Sequence, residues 1–284
     1  MKTCLVTGAY GLVGSTICRI LKEQYPDLDV SKVKLDNVPK GQYDYIIHAA
    51  GYGQPQMFGK DKAKTIEINT ELTDWLLRTH LKKTGSFMFI SSSEVYSGVQ
   101  GPHSEDMIGT TSPQHPRACY IEGKRCGEAI CMAYKEQGYD VKIARLALAY
   151  GPGTKKGDTR VLNQFIEQAL TMGRILLMDK GEAERTYCYV GDAAEMILDI
   201  LFKGKDVVYN VGGLSEVTIA NLAALIATMT GVDFILGNKS LEGSPPDVRL
   251  DLRKTLREFP RDFVSLYDGL NNTIEYQKHL YGKN

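Results

Sequence analysis

The sequence predicts an α/β protein, in which a doubly wound parallel sheet is followed by a smaller α+β domain at the carboxyl end. Three observations predict this fold class. Apolar strands alternate with amphipathic helices over the first 150 residues, as in parallel sheets that carry helices on both faces. A glycine-rich turn joins the first strand to the first helix, and a loop of glycine and proline at residues 151–153 ends the alternation.

The elements of the first part alternate between strand and helix. Short apolar runs are typical of strands that are buried on both faces. The helix over residues 64–80 is indicated by Ile68, Leu72 and Trp75, which recur at helical spacing. In order, the predicted elements are the strand Lys2–Thr7, the helix Gly11–Gln24, the strand Tyr43–Ala50, the helix Lys64–His80, the strand Phe87–Ser92, the helix Tyr120–Tyr134 and the strand Val141–Leu148.

The second part begins after the glycine and proline loop, and we place the domain boundary between residues 152 and 153. Thr218 is a typical N-cap, and Gly231 a typical stop signal, for a helix over residues 219–230. Segments near residues 186–212 are expected to return to the first domain. The predicted elements are the helix Val161–Met172, the strand Ile175–Met178, the strands Tyr187–Val190 and Val207–Val211, the helix Ile219–Thr230, a rigid turn at Ser244-Pro245-Pro246 and a terminal helix from Phe263.

The charge balance of the chain excludes one class of partner. Among its 284 residues, 34 lysines and arginines face 34 aspartates and glutamates, so no basic excess is available to hold a nucleic-acid backbone. No apolar run has the length of a membrane span, and the first residues lead directly into a strand without a signal-peptide pattern. We therefore expect a cytoplasmic protein with neither nucleic acid nor a membrane as its partner.

The six cysteines do not predict a metal site. They include neither a C-x-x-C pair nor a nearby histidine at the spacing of zinc ligands. Free, buried thiols are the expectation, because a thiol is an ordinary small apolar group in a protein core.

The glycine-rich turn is the segment Thr7–Gly14, with the sequence T-G-A-Y-G-L-V-G. It follows a strand and opens a helix, where glycines allow a tight turn and a close approach of the backbone to a pyrophosphate. The amides at the start of the helix add a positive end. The sequence therefore predicts a dinucleotide site, and we expect the loop Ala49-Ala50-Gly51 to border it. The expected contacts from the turn are Gly8, Tyr10, Gly11, Leu12, Val13 and Gly14.

The acid that binds the adenosine ribose is expected about 20 residues beyond this turn. Asp36 lies 22 residues after Gly14, and an acid there favours NAD over NADP. Only eight residues separate Asp36 from Asp44 at the next strand, too few for a helical crossover. Either a strand–helix unit has been lost, or Asp29 or Asp36 belongs to a different strand and contacts the adenine. The predicted cofactor is NAD, with NADP as the less favoured alternative.

Two further motifs carry chemically active side chains. Tyr120 and Lys124 are separated by four residues and share one face of a helix. The segment Ser91–Glu94 ends a predicted parallel strand, where ligands of doubly wound sheets bind.

Together these motifs resemble the extended short-chain dehydrogenase/reductase family. Its nucleotide-sugar members carry T-G-x-x-G-x-x-G, a Ser or Thr after the middle strand, and Y-x-x-x-K, which correspond here to Thr7–Gly14, Ser92 and Tyr120–Lys124. The resemblance covers essentially the whole chain. It implies a Rossmann-like dinucleotide-binding domain over residues 1–152, a smaller substrate domain over residues 153–284, a nucleotide-diphosphate sugar as substrate, and a homodimer.

The resemblance also implies a role for each side chain. Tyr120 would be the general base, Ser92 would hydrogen-bond the reacting sugar hydroxyl, and Lys124 would hold the nicotinamide ribose. Glu94 would act as a second acid or base beside the sugar. A tyrosine with an ordinary pKa near 10 is a poor base at neutral pH, so the positive charges of the lysine and of the nicotinamide are needed to favour the phenolate.

Within this family, the segment Pro116–Arg125 is similar to the P-R-A-C-Y-x-E-G-K-R of UDP-glucuronate decarboxylases. The run Ser92–Tyr96 is similar to their T-S-E-V-Y. The 4,6-dehydratases usually carry an aspartic acid where this chain has Ser93, which lacks the proton for a departing water. Decarboxylation needs no such acid, and we expect Ser93 to contact the substrate.

Three arginines are the predicted ligands of the nucleotide diphosphate. Arg160, Arg185 and Arg249 lie in segments similar to nucleotide-contacting segments of the family, and a planar guanidinium suits phosphate. Two positions depart from the family pattern. Leu148 stands where relatives have a substrate-binding asparagine, and Arg249 is shifted by one position from the arginine that the decarboxylases place near the carboxylate.

Three functions remain open at this point. The first is an NAD-dependent nucleotide-sugar enzyme that oxidises the sugar transiently at C4, as a decarboxylase, 4-epimerase or 4,6-dehydratase does. The second is an NADPH-consuming reductase of a 4-keto nucleotide sugar, with which the short region between Gly14 and Asp44 is compatible. The third, a non-catalytic dinucleotide sensor, is disfavoured by the intact serine, tyrosine and lysine.

Overall fold

The computed structural model describes residues 1–35, 37–239 and 247–283. Asp36 and the predicted turn Ser244-Pro245-Pro246 lie outside these ranges. Within them, the first part of the chain forms a six-stranded, fully parallel sheet in the order β2-β1-β3-β4-β5-β9. The strands are β1 (Lys2–Thr7), β2 (Leu28–Val33), β3 (Tyr43–His48), β4 (Leu81–Ser92), β5 (Asp140–Leu146) and β9 (Val208–Val211). The predicted Rossmann-like, doubly wound sheet is thus confirmed.

Helices cover both faces of this sheet. They are α1 (Leu12–Gln24), α2 (Pro55–Lys60), α3 (Lys62–Asn69), α4 (Glu71–Trp75), α5 (Ala118–Glu136) and α7 (Val190–Lys203). Apolar side chains dominate the sheet interior, and Leu5, Ile46, Phe87 and Phe89 are completely buried. Helix α7 was not predicted, although its buried side chains recur at helical spacing and it packs against α1.

The connection between β2 and β3 explains the short spacing noted above. Both strands pair with β1, and Thr7 lies between Val33 on one side and His48 on the other. The described residues of the connection, 34, 35 and 37–42, contain no helix. A strand–helix unit that doubly wound sheets usually insert at this edge is therefore missing. Asp29 pairs with Thr3 at the opposite end of β1, so the alternative that gave Asp29 a cofactor contact is wrong.

The single helix predicted over residues 64–80 is divided. The chain forms α3, α4 and a wider π-helical turn, Leu76–His80, with the break at Thr70. Side chains here donate hydrogen bonds to carbonyls four residues earlier, Asn69 to Thr65 and Thr73 to Asn69. Such bonds compete with the backbone ladder and bend helices, a property that apolar periodicity does not reveal.

The second part of the chain builds a separate four-stranded sheet and a small core, and residues 148–150, just before the boundary, contribute one strand to this sheet. The predicted strand at residues 187–190 is the strand β8 (Glu184–Tyr189), which pairs within this second sheet and not with the first, whereas β9 does return to the first sheet beside β5. The other elements are β6 (Leu148–Tyr150), β10 (Ser215–Thr218) and β12 (Asp247–Val248) beside β8, the pair β7 (Arg174–Leu176) and β11 (Asp233–Ile235), and the helices α6 (Val161–Met172), α8 (Ile219–Thr230), α9 (Arg253–Glu258) and α10 (Leu266–Tyr281).

The cysteines are all free thiols, and five of them are buried as expected. Cys126 is the exception, because it lies on the exposed face of α5. Among the described residues, no helix is both long and apolar enough to cross a membrane.

Candidate active site

Two glycines of the glycine-rich turn, Gly8 and Gly14, have no room for a side chain. Gly8 has φ +67°, and a Cβ atom on it would lie 2.5 Å from the Ala49 carbonyl oxygen. A Cβ atom on Gly14 would lie 2.3 Å from the Gly8 carbonyl oxygen. Gly11 is the N-cap of α1 and offers no side chain to the first-turn amides, and this turn contains no acidic residue. Free amides in a close-fitting backbone cradle suit the pyrophosphate of a dinucleotide.

One cavity of about 300 Å³ lies at the carboxyl ends of β3, β4 and β5 and extends to residues of the second part. The structure brings eleven predicted site residues together in its wall, whereas Gly8, Tyr10, Gly11, Leu12 and Gly14 belong to the adjoining turn. The eleven are Val13, Ala49, Ala50, Gly51, Ser92, Ser93, Glu94, Tyr120, Lys124, Arg160 and Arg185. Asp36 lies outside the described residues.

Tyr120 is held at the cavity wall by its neighbours. Its ring stacks on Phe58, with the ring centroids 4.8 Å apart and the planes at 13°. Burial and the charge of Glu94 raise the pKa of Tyr120 to about 12, against the lowering effects of a hydrogen bond with Ser92 and of nearby guanidinium groups. The phenol is therefore protonated at neutral pH, and a further positive charge is required to make it a base.

Lys124 lies on α5, four residues after Tyr120, and its side chain reaches the strand β4. The side chain is nearly inaccessible, and its Nζ atom donates a hydrogen bond of 2.8 Å to the Ile90 carbonyl oxygen. The same atom lies 4.9 Å from the centre of the Phe89 ring. Burial lowers the pKa of Lys124 to about 8, although the carboxylate of Glu128 works in the opposite direction. This ammonium group is a buried positive charge that loses its proton more readily than an ordinary lysine.

Glu94 forms an ion pair with Arg117, a residue that the sequence analysis did not single out. Both side chains line the cavity, and burial raises the pKa of Glu94 despite the opposing charges of Arg117 and Arg185. The Arg117 guanidinium also lies 5.3 Å from the centre of the Phe58 ring. Arg117 stands three residues before Tyr120, so helical spacing was the signal that could have found it.

The three predicted arginine ligands differ in their surroundings. Arg160 lines the cavity and is bound to both oxygens of Asp158 and to the Ala149 carbonyl. Arg185 is buried in the cavity wall, and burial lowers its pKa.

Arg249 does not belong to the described residues that line the cavity. Its side chain forms ion pairs with Asp247 at 2.7 Å and with Glu184 at 3.1 Å. The structure thus gives no support to Arg249 as a substrate ligand, because strand pairing of β12 with β8 supplies it with carboxylates. Leu148, in contrast, lines the cavity, so this part of the wall is apolar where relatives offer an amide.

No group of three or more histidine, cysteine, aspartate or glutamate side chains within the described ranges could hold a metal ion. The side chains that reach the cavity include those of Ser92, Tyr120 and Lys124, the three residues that carry the family resemblance. Fold and site together define a protein of the extended short-chain dehydrogenase/reductase class, as its motifs predicted. Residues 4–212 match the model of the NAD dependent epimerase/dehydratase family, and the chain belongs to that family.

Three known proteins illustrate the similarity. UDP-glucuronic acid decarboxylase 1 of Xenopus tropicalis is 32% identical over 242 residues, which cover 83% of this chain and 57% of that protein. The chain therefore spans less than two thirds of that relative. The UDP-glucuronic acid 4-epimerase of Bacillus cereus, solved with UDP-glucuronic acid and NAD, superimposes with a TM-score of 0.82 at 23% identity, over 98% of this chain and 100% of that one. RMD of Pseudomonas aeruginosa, solved with NADPH, also gives a TM-score of 0.82 at 23% identity, over 98% and 99% of the two chains.

Proposed function

We propose that this protein binds NAD along the glycine-rich turn and a nucleotide-diphosphate sugar in the adjoining cavity, and that it oxidises the sugar transiently at C4. The observation that carries the proposal is the convergence of Ser92, Tyr120, Lys124 and Glu94 in the wall of one cavity beside the turn. Residues 1–152, with the returning strand β9, hold the dinucleotide, and residues 153–284 provide most of the nucleotide-sugar contacts.

In this proposal, two side chains of the cavity wall handle the proton. Tyr120 in its phenolate form takes the proton of the sugar 4-hydroxyl, and the Ser92 hydroxyl orients that group through a hydrogen bond. NAD⁺, when bound, supplies the acceptor for the hydride that leaves the same carbon. Lys124 places a positive charge behind the phenol, and Arg117 and Arg160 lower the pKa of Tyr120 from the cavity side.

Among the reactions that can follow this oxidation, we propose decarboxylation of a uronic acid. A 4-keto uronic acid is a β-keto acid, so the bond from C5 to the carboxylate breaks, carbon dioxide leaves, and the electron pair remains on C5 as an enolate. C5 then takes a proton, and the hydride returns to C4, which restores the cofactor. Supporting observations are the activity in the name of the Xenopus tropicalis relative and Ser93 in place of a dehydratase acid. Epimerisation at C4 and 4,6-dehydration share the first step and are the alternatives.

We also propose that the protein is a cytoplasmic homodimer. In this proposal, α5 pairs with the helical segment around Trp75 across a two-fold axis. A shallow depression between these elements, lined by Trp75, Arg78 and Ile130, is a surface on which a second copy could pack. Sedimentation velocity of the wild type and of Ile130→Glu tests this proposal, because a charge in a dimer contact favours the monomer.

A second candidate function is the NADPH-consuming reduction of a 4-keto nucleotide sugar. The missing strand–helix unit favours it, together with the NADPH found in the solved Pseudomonas aeruginosa neighbour. Cofactor content separates the two functions. Protein that retains NAD⁺ and does not consume it fits the first, whereas turnover that requires added NADPH would contradict it.

The decisive experiment is a panel of UDP-, dTDP-, CDP- and GDP-sugars with mass-spectrometric product analysis. Loss of carbon dioxide identifies a decarboxylase, loss of water a dehydratase, and an unchanged mass an epimerase. Tyr120→Phe should abolish sugar oxidation but keep dinucleotide binding. Tyr134→Phe is the matched control, since Tyr134 lies on the same helix and donates its hydroxyl to Asp74, outside the cavity. Oxidation by the Tyr120 variant would refute the role of its hydroxyl.

A further inference from the structure

The register of the sheet fixes which residue follows β2 at the edge of the dinucleotide site. Val33, the last residue of β2, pairs with Thr7, the last residue of β1. The Val33 carbonyl oxygen also accepts a hydrogen bond of 3.4 Å from the amide of Ala9, inside the glycine-rich turn. The side chain that leaves the sheet immediately beyond this point belongs to Lys34.

Lys34 occupies the position at which this class of fold reads the adenosine ribose. It stands 20 residues after Gly14, at the spacing where an acid binds the ribose 2′-hydroxyl or a basic residue accommodates a 2′-phosphate. Here the residue 20 positions after Gly14 is basic, whereas the predicted acid Asp36, 22 positions after Gly14, lies outside the described residues. The alternative acid Asp29 is excluded by the register, because it pairs with Thr3 at the far end of β1.

The side chain of Lys34 is directed towards the turn. Its Nζ atom lies 5.9 Å from the centre of the Tyr10 ring, and Tyr10 belongs to the segment that would hold the pyrophosphate. Both side chains are exposed, so a ligand can reach them. The ammonium group thus stands beside the predicted phosphate loop, at the edge of the sheet where a strand–helix unit is missing.

We propose that Lys34 binds the 2′-phosphate of an adenosine dinucleotide, so that the protein accepts NADP as well as NAD. This inference rests on the proposed dinucleotide site and adds to it a second ligand that the acid-based prediction disfavoured. A 2′-phosphate carries nearly two negative charges, and a lysine binds it as a point charge. The pairing is solvent-exposed, so added salt weakens the binding of NADP⁺ more than that of NAD⁺.

The test is isothermal titration calorimetry of the full chain with NAD⁺ and NADP⁺, and with 2′,5′-ADP and 5′-AMP as fragments. We expect Lys34→Ala to weaken NADP⁺ and 2′,5′-ADP by about tenfold and to leave NAD⁺ and 5′-AMP within about twofold. Lys34→Glu should weaken NADP⁺ further. Lys22→Ala is the matched control, because it removes the same charge from the last turn of α1, and it should change neither dinucleotide.

Two results would overturn the inference and leave the proposed function intact. One is wild-type protein that binds NAD⁺ but not NADP⁺, and the other is NADP⁺ affinity that is unchanged in Lys34→Ala. Failure of the wild type to bind either dinucleotide would instead refute the proposed function, and this inference with it. Retained NAD⁺ binding by the variants shows that they are folded.

Discussion

Replacement of Lys124 is expected to change stability in a way that depends on pH. The Lys124 residue is 5% exposed, and burial lowers the pKa of its ammonium group from the ordinary 10.5 to about 8. At 1.36 kcal/mol per pKa unit, a charge in this position destabilises the folded state by about 3 kcal/mol below pH 8. Between about pH 8 and 10.5 the unfolded chain binds more protons than the folded one, so this group makes stability rise with pH.

Lys124→Met separates this charge effect from packing. The variant also loses the hydrogen bond to the Ile90 carbonyl oxygen, but the pH-dependent part of that loss is already contained in the lowered pKa of Lys124. We therefore expect the difference in unfolding free energy, wild type minus variant, to increase by about 3 kcal/mol between pH 7 and about pH 10.5. Catalytic turnover should be lost in the variant, because the proposed mechanism needs a positive charge near Tyr120 to favour the phenolate.

The assay is urea-induced unfolding followed by fluorescence at a series of pH values. Lys135→Met is the matched control, since Lys135 lies on the same helix with an exposed side chain. Its stability curve should run parallel to that of the wild type. Parallel curves for Lys124→Met as well would refute the reasoning, because they would mean that the buried ammonium group carries no penalty.

Three further changes have defined outcomes. Gly8→Ala should lose dinucleotide affinity, measured by calorimetry, because φ is +67° and the new methyl group would lie 2.5 Å from the Ala49 carbonyl oxygen. Arg117→Gln should lower the unfolding free energy by about 3 kcal/mol at pH 8, since it removes the ion-pair partner of the buried Glu94 carboxylate, and the loss should shrink as the pH falls and that carboxyl becomes protonated. Arg249→Ala should leave nucleotide-sugar affinity within about twofold, because its partners are internal carboxylates, and a larger loss would restore its predicted role.

Local patterns predicted the parts of this molecule that depend on neighbouring residues. The turn Thr7–Gly14 is readable because strand, glycines and helix follow one another within a few residues. The same holds for Tyr120 and Lys124, whose separation fixes their common helix face. These features required no knowledge of the sheet order.

Long-range pairing explains what the sequence did not reveal. Glu94 follows the end of β4 by two residues and Arg117 immediately precedes α5, and neither segment indicates that the two side chains form an ion pair. The environment of Arg249 likewise depends on the pairing of β12 with β8. Its guanidinium forms ion pairs with Asp247 and Glu184, which the strand pairing of the second sheet brings together.

In the sheet order, the strands that carry the proposed reacting residues lie apart from the strand that leads to Lys34. Ser92 is the last residue of β4 and Glu94 follows it, and Tyr120 and Lys124 lie on α5, which packs against β4 and β5 at the centre of the sheet. The missing strand–helix unit affects only the opposite edge, where β2 lies beside β1 and presents Lys34 to the turn. Because β1 and β3 lie between these two regions, a change at the β2 edge can alter recognition of the adenosine ribose without displacing the reacting groups. Variants of Lys34 and of Tyr120 should therefore have independent effects, the first on dinucleotide selectivity and the second on turnover.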